Sequence, residues 1–421
     1  MQAPLVSQLQ QEGATHITQL SLLNAVAATM PASEAKALSR TPGVKSVVPD
    51  GTIIVSPGPA SVPTVAPSRV QAPASATPAT SGDGQQMCSP NPNEPMLEPE
   101  ALTSIHDASQ DPNATDDASS IATGTGVIVG NVGADDLAGN PNMIRPDGSH
   151  VIIDAPDPTK NVFNDEWNGD VSTIGAQGTV TYSYGDQLPY SNIPSTCTLT
   201  IKGDATGASI VSTGFFTDTN SQGQIVAPES QVIAGLQKAV DEGVNVVSES
   251  YGYGALPGAN DDLLAPTNQA MVKAGVVVVE SSGDSGWSGT VEAPADNADI
   301  IDVGASTDMR LLAQADGYTN GWLSDTMATL SSGGTAPNGR VVDLIAPGYL
   351  GLAAAGQGNG QTLPTEAFAG TSQAAPFVSG AAADVIQAYR DTHGGNTPTP
   401  VQVKRILTST ATDIGAESRR R

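Results

Sequence analysis

The chain has 421 residues and carries a net charge of −26, from 17 Lys and Arg against 43 Asp and Glu. That length suits one large α/β domain with a smaller unit attached, and a surface this acidic excludes nucleic acid and anionic membranes as partners. No run of 18 or more apolar residues occurs, so no membrane-spanning helix is expected, and the acidity suits work in acid, where many carboxylates are neutral.

In chain order, residues 1–56 read as a small α+β unit. A strand-like start leads to a helix over PASEAKALSR, with Ser33 as its N-cap, and then to TPGVKSVVPDGTIIV, a turn with a pair of apolar strands. Nothing around Met1-Gln2-Ala3-Pro4 reads as a secretory signal. Residues 57–87 are rich in Pro, Ala, Ser and Thr; they cannot bury a core and read as an extended linker open to proteolysis. The cysteines Cys88 and Cys197 permit one disulfide, which is expected to form if the protein is exported.

Residues 88–421 alternate strands and helices. The apolar runs at 127–132, 150–154, 208–213, 244–250, 275–281, 299–305 and 340–346 predict strands, and helices are predicted over 229–242, 260–273, 372–390 and 399–410. Nearly continuous apolar strands belong in a sheet covered on both faces, so the expected architecture is doubly wound α/β with a mostly parallel sheet.

Within this pattern Gly370-Thr371-Ser372-Gln373-Ala374-Ala375-Pro376 places a serine in a tight turn just before a long helix of small residues. At a helix N-terminus, free N–H groups and the helix dipole favour developing negative charge, which a nucleophile needs. The stretch resembles the nucleophile motif of the subtilisin-like peptidases, GTS-x-A-A-P-x-V-x-G. GDATGASIVST, VNVVSESYG, APADNADIIDVGAST and DLIAPG resemble further segments of that fold, in order, over roughly residues 120–415. PGVKSVVPD resembles a stretch of the subtilisin propeptide. The resemblance implies a secreted, monomeric serine endopeptidase acting on polypeptides, with residues 1–56 as folding assistant and inhibitor. It also implies an extended substrate held by Ser248, Ser250, Gly252, Ser282 and Gly283. Glu249 and Glu280 beside them would favour basic or, at low pH, neutral side chains, and Trp287 and Tyr251 read as packing residues.

The subtilisin triad, however, needs an Asp and a His as well as the Ser. The four histidines, His16, His106, His150 and His393, stand in no HGTH-like motif, and Gly133 stands in VIVGNVG where the family's Asp closes its first core strand. Asp135 and Asp136 follow it and could substitute with a shifted register. The slot of the His motif reads Asn164-Asp165-Glu166-Trp167-Asn168-Gly169-Asp170. On a helix Glu166 and Asp170, at i and i+4, share a face and would share a proton. The alternative is that Asp170 caps a short helix beginning at Val171, with Gly169 weakening any helix through it. The pair resembles that of the sedolisins, serine-carboxyl peptidases of subtilisin fold. This implies Glu166 as general base, Asp170 as its support, and an acidic optimum, since a glutamate's reference pKa is about 4.3.

SSGDSG agrees with that reading, with Asp284 where subtilisins place the oxyanion-binding Asn; a neutral carboxylic acid can donate the same hydrogen bond. A turn in Gly-Asp-Ser-Gly is the simpler alternative. No cofactor is expected. The sedolisins' calcium loop has only the isolated Asp413 as a counterpart, so calcium is possible but unassigned. The rival to an enzyme is an inactive member of the fold kept as a binding or scaffold protein.

Overall fold

The computed structural model describes residues 2–56, 96–98, 101–108, 117–133, 135, 137–155, 165–183, 198–215, 217–221, 224–253, 263–307, 325–336, 338–349, 351–356 and 365–414. The linker 57–87, Cys88, Cys197 and Asp136 lie outside them.

The N-terminal segment comprises α1 (Ala3–Gln11), β1 (Thr15–Leu20), β2 (Ala25–Thr29), α2 (Ala32–Leu38) and β3 (Thr52–Ser56), with β1 and β2 an antiparallel hairpin. It opens with a helix rather than the expected strand. Pro4 lies in the first turn, where its fixed φ favours a helix, and Leu5 and Leu9 fall one turn apart. α2 begins after Pro31 without a side-chain cap, so Ser33 does not cap it. Of the expected strand pair only β3 forms.

Two further strand groups precede and follow the first core strand: β4 (Met96–Glu98), after which comes the short α3 (Ala101–Ser104), and β5 (Ile128–Asn131) with β6 (Ile152–Asp154). Then come α4 (Asp165–Gly175), β7 (Gln177–Ser183), β8 (Thr198–Lys202), β9 (Ser209–Ser212), β10 (Asp218–Thr219), β11 (Ile225–Pro228), α5 (Glu229–Asp241) and β12 (Val246–Glu249). The rest comprises α6 (Leu264–Lys273), β13 (Val277–Ser281), β14 (Ile301–Ser306), β15 (Leu344–Pro347), β16 (Gly351–Ala354), β17 (Thr365–Phe368), α7 (Thr371–Thr392) and α8 (Pro400–Thr410).

All the predicted apolar runs of the large domain enter one seven-stranded sheet of order β15-β14-β13-β12-β5-β9-β6, and every pairing in it is parallel. Because side chains alternate along a strand, each continuous run serves two cores. Val246, Val277 and Val279 meet Ala374, Ala375 and Phe377 of α7 on one face. Val247 and Val278 meet Val232 and Leu236 of α5 and Leu264 of α6 on the other. The chain winds from β5 toward β6 in one direction and then from β12 toward β15 in the other. A crevice therefore opens at the carboxyl ends of β5 and β12, where such folds bind ligands.

The smaller sheets do not show in the sequence pattern: β4-β8-β7, β10-β11-β3 and the β16-β17 hairpin. The N-terminal segment is built into the second of these. β3 pairs antiparallel with β11 on one edge, and on the other Ile54 N–H donates to Gly252 O at 2.7 Å and Gly252 N–H to Ile54 O at 2.9 Å. Ile53 and Val55 are buried in the α5–α6 core. The Asp50 carboxylate accepts from Ser230 N–H at 2.9 Å and Ser230 Oγ at 2.6 Å. It thereby caps α5, whose own N-cap is Pro228 and has no capping side chain.

Candidate active site

α7 begins at the end of the crevice. Its N-cap, Gly370, has φ of 113°, and a Cβ there would lie 2.6 Å from Asp284 Oδ2, so both conformation and space demand glycine. Thr371 follows: its N–H and its hydroxyl both donate to Asp284 Oδ1, at 2.8 and 3.0 Å, and its Oγ1 accepts from Gly283 N–H at 3.1 Å. Ser372 is next, in the first turn, where backbone N–H groups have no intrahelical acceptor.

α4 packs across α7. It starts at Asp165 and runs unbroken through Gly169, so Glu166 and Asp170 share a helix face and Asp170 is not the cap of a helix starting at Val171. Gly169 matters for packing: a Cβ there would lie 2.6 Å from the Phe368 ring, so the glycine lets α4 seat against β17. The Glu166 carboxyl is hydrogen-bonded to the Ser372 side chain. Burial pushes Glu166 up to about 8, opposed by the bond from Ser372 and reinforced by the nearby Asp284 charge. Asp170 is buried, and Ser250 Oγ donates to its Oδ1 at 3.0 Å. Burial, and then the charge of Glu166, raise it well above the usual carboxylate range. Charge on Glu166 thus disfavours charge on Asp170, and the pair titrates as a unit.

Ser250 Oγ also reaches Ser372 O, at 3.4 Å. That carbonyl loses its usual helix partner because Pro376, four residues on, has no N–H. Ser250 thus bridges the carboxylate pair and the backbone of the serine. Asp284 is surface-accessible as a residue, yet the protein crowded around its carboxyl raises its pKa, against the two Thr371 hydrogen bonds. A pocket joins these groups; Ser250, Gly252, Gly283, Asp284 and Ser372 line it, and so do Ile54 and Val55 of β3.

Ser372, Glu166, Asp170 and Asp284 therefore converge, and Ser250, Gly252 and Gly283 lie at the pocket as expected. Ser248 and Ser282 do not. Ser248 is buried within β12 opposite Asn131 of β5, and Ser282 is buried with its hydroxyl donating to Ser332 O at 2.9 Å, so neither reaches a substrate. Glu249 and Glu280 are buried opposite one another on β12 and β13, away from the pocket. Tyr251 packs edge-on to Phe215 with ring centroids 6.4 Å apart and also lines the pocket, whereas Trp287 is exposed.

None of the four histidines lines the pocket; His393 ends α7 with Nδ1 3.1 Å from Tyr389 O. Asp135 turns its Oδ1 to Leu137 N–H at 2.9 Å. The place beside Gly133 is filled by the Trp167 indole: a Cβ on Gly133 would lie 2.1 Å from Trp167 Nε1. The aspartate expected at the end of the first core strand is thus sterically excluded by the residue next to Glu166. Sequence reasoning missed Thr371, the orienter of Asp284, and Trp167, which fills this space; the adjacency of both to expected site residues was the available signal. The expected strand β3 forms, but nothing in the sequence placed its Ile54 and Val55 at the pocket.

The chain is 33% identical over 186 residues to alkaline elastase YaB of Bacillus sp. (strain YaB), covering 44% of this chain and 40% of that one. It is 30% identical over 192 residues to subtilisin DY of Bacillus licheniformis, covering 44% of this chain and 56% of the other. It spans about half the length of these curated relatives. The solved structure "Structure of Prenylagaramide maturation protease PagA" is similar with a TM-score of 0.47 and 19% identity, over 69% of this chain and 84% of that one. The Subtilase family profile matches residues 170–420, a span that starts at Asp170, takes in Asp284 and Ser372, and leaves out the first core strand. That match covers more than half of the chain, and the chain belongs to the subtilase family.

Proposed function

We propose that the protein is a serine endopeptidase in which a carboxylate pair replaces the His and Asp of the subtilisin triad. One observation carries this reading: the Glu166 carboxyl is hydrogen-bonded to the Ser372 side chain, where a triad histidine would act. Ser372 Oγ attacks the peptide carbonyl and passes its proton to Glu166. Asp170, neutral or sharing the pair's proton, holds Glu166 in place. The oxyanion lies between the helix N-terminus and Asp284, which donates only when protonated. Glu166 returns the proton to the leaving amine, and water then hydrolyses the acyl-enzyme by the reverse sequence.

Activity requires one proton on the pair and one on Asp284: it is lost in alkali as these protons leave, and at the acid end when a second proton on the pair leaves Glu166 unable to accept one from Ser372. Burial extends the range above that of free carboxylates, since it raises all three groups. Residues 1–56 act as the inhibitor: β3 lies in the groove as an added strand, in the backbone-paired manner of an extended peptide. Cleavage in the linker 57–87 would release residues 88–421, the secreted, monomeric peptidase.

Casein hydrolysis at about pH 4 to 6 tests the reading. Ser372→Ala is expected to abolish it, and Glu166→Gln to lower kcat by roughly 10²- to 10⁴-fold, the worth of a positioned general base. Full activity in Glu166→Gln would overturn the carboxylate assignment; no cleavage at any pH after removal of the N-terminal segment would leave a non-catalytic fold.

A further inference from the structure

A second group of buried acids lies far along α7 from Ser372. Asp384 is twelve residues beyond the serine, about 18 Å at 1.5 Å per residue. It meets Asp107, from the turn after α3, and Asp204, from the connection between β8 and β9. One oxygen from each lies within 4.8 Å of the others. The three are 2%, 2% and 7% exposed for Asp107, Asp204 and Asp384.

Asp384 is more than nine-tenths buried and points into the Asp107–Asp204 pair. Neither of its oxygens has a hydrogen-bond partner among the described residues, and the same holds for both Asp107 oxygens and for Asp204 Oδ2. Helix α7 is bare beside the pair, for a Cβ on Gly380 would lie 2.7 Å from Asp204 Oδ2. Among the described residues, Lys202 is the cation whose charge reaches all three carboxyls. Three carboxylates against one ammonium leave two negative charges, which one divalent cation cancels.

We propose that Asp107, Asp204 and Asp384 form a calcium site that fastens the far half of α7 to the β8–β9 connection and to residues 101–108. The donors are all hard carboxylate oxygens, with no histidine or cysteine in the group, which selects an alkaline-earth ion. Calcium accepts six to eight oxygens in an irregular shell, which suits three carboxylates brought together from separate elements, whereas magnesium demands a near-ideal octahedron and keeps several waters. The site does not depend on the assignment of the catalytic residues.

The test uses the full chain carrying Ser372→Ala, to prevent self-digestion, treated with EDTA and titrated with Ca²⁺ or Mg²⁺ at about pH 6.5. Calorimetry should show one saturable Ca²⁺ site, with Mg²⁺ at least tenfold weaker. Calcium at a hundredfold excess over Kd should raise the unfolding midpoint by roughly 3 °C. Asp384→Asn and Asp204→Asn, close in shape to the originals, should each weaken Ca²⁺ binding at least tenfold. The proposal fails if no saturable binding appears, or if both variants bind as the parent does. It also fails if Asp384→Asn stabilises the EDTA-treated chain and leaves the response to calcium unchanged, because the cluster would then be a proton-sharing one.

Discussion

Asp284→Asn separates a proton-donating oxyanion group from a structural turn residue. Asn keeps Oδ1 to accept the Thr371 N–H and hydroxyl, now bonded at 2.8 and 3.0 Å, and sets an amide N–H₂ where Oδ2 faces Gly370. Asp284 can donate only when protonated. Because crowding raises its pKa, the neutral form persists above the usual aspartate range and is lost as pH rises through the raised value. Each further pH unit removes about tenfold of the donating form, so kcat/KM of the parent should fall tenfold per unit on its alkaline side. The amide does not titrate. The variant should stay within about tenfold of the parent in acid, and its alkaline limb should move up to that of the carboxylate pair, so that it exceeds the parent roughly tenfold two units above the pKa of Asp284. Asp284→Ala, lacking any donor, should lose about 10²- to 10³-fold in kcat. The assay is kcat/KM for a chromogenic peptide from pH 3 to 8. An unchanged alkaline limb in the Asn variant, or equal losses in Asn and Ala, would refute the reasoning.

Glu280, fully buried and hydrogen-bonded to Glu249, has its carboxyl raised well above the usual range, by burial first. A folded pKa above the unfolded one gives stability that is complete below the unfolded pKa, about 4.3, and is lost as pH rises toward the folded value, at about 1.4 kcal/mol per unit of difference. In a Ser372→Ala background the thermal midpoint should therefore drop from pH 4 to pH 8, and Glu280→Gln should flatten that drop and be the more stable protein at pH 8; a parent midpoint that rises with pH would contradict this. Ile54→Pro removes the N–H that donates to Gly252 O at 2.7 Å but leaves the edge toward β11. If β3 inhibits from the groove, the full chain carrying this change should show peptidase activity earlier and at a higher initial rate than the parent, by progress curves; an unchanged lag would argue against inhibition by β3.

The large sheet is readable because its strands are apolar on both faces, a signal that survives without knowledge of neighbours, and every such run became a core strand. Short elements are not. β7, β8, β16 and β17 are short and mix polar and small residues, so no apolar run or clean alternation marks them. α1 reads as a strand from its apolar start, whereas the proline in its first turn and the spacing of its leucines favour the helix that forms. Ser248 and Ser282 look like groove residues in their motifs, yet the pleat turns them into the interior.

The serine motif, the i and i+4 spacing of Glu166 and Asp170, and the aspartate in SSGDSG are all visible as residues in order. Their convergence was decided by contacts between elements. A glycine at 169 reads as a helix breaker, and only the ring of Phe368 against it shows that the helix runs through and delivers both carboxyls to α7. The loss of the aspartate at 133 reads as a gap, and only the indole of Trp167 shows that the space is taken. Residue types and periodicity act along the chain and determined the fold and the candidate nucleophile. Burial and close approach act across it, and they decided which carboxyls meet, which are pushed above the usual range, and which segment lines the pocket.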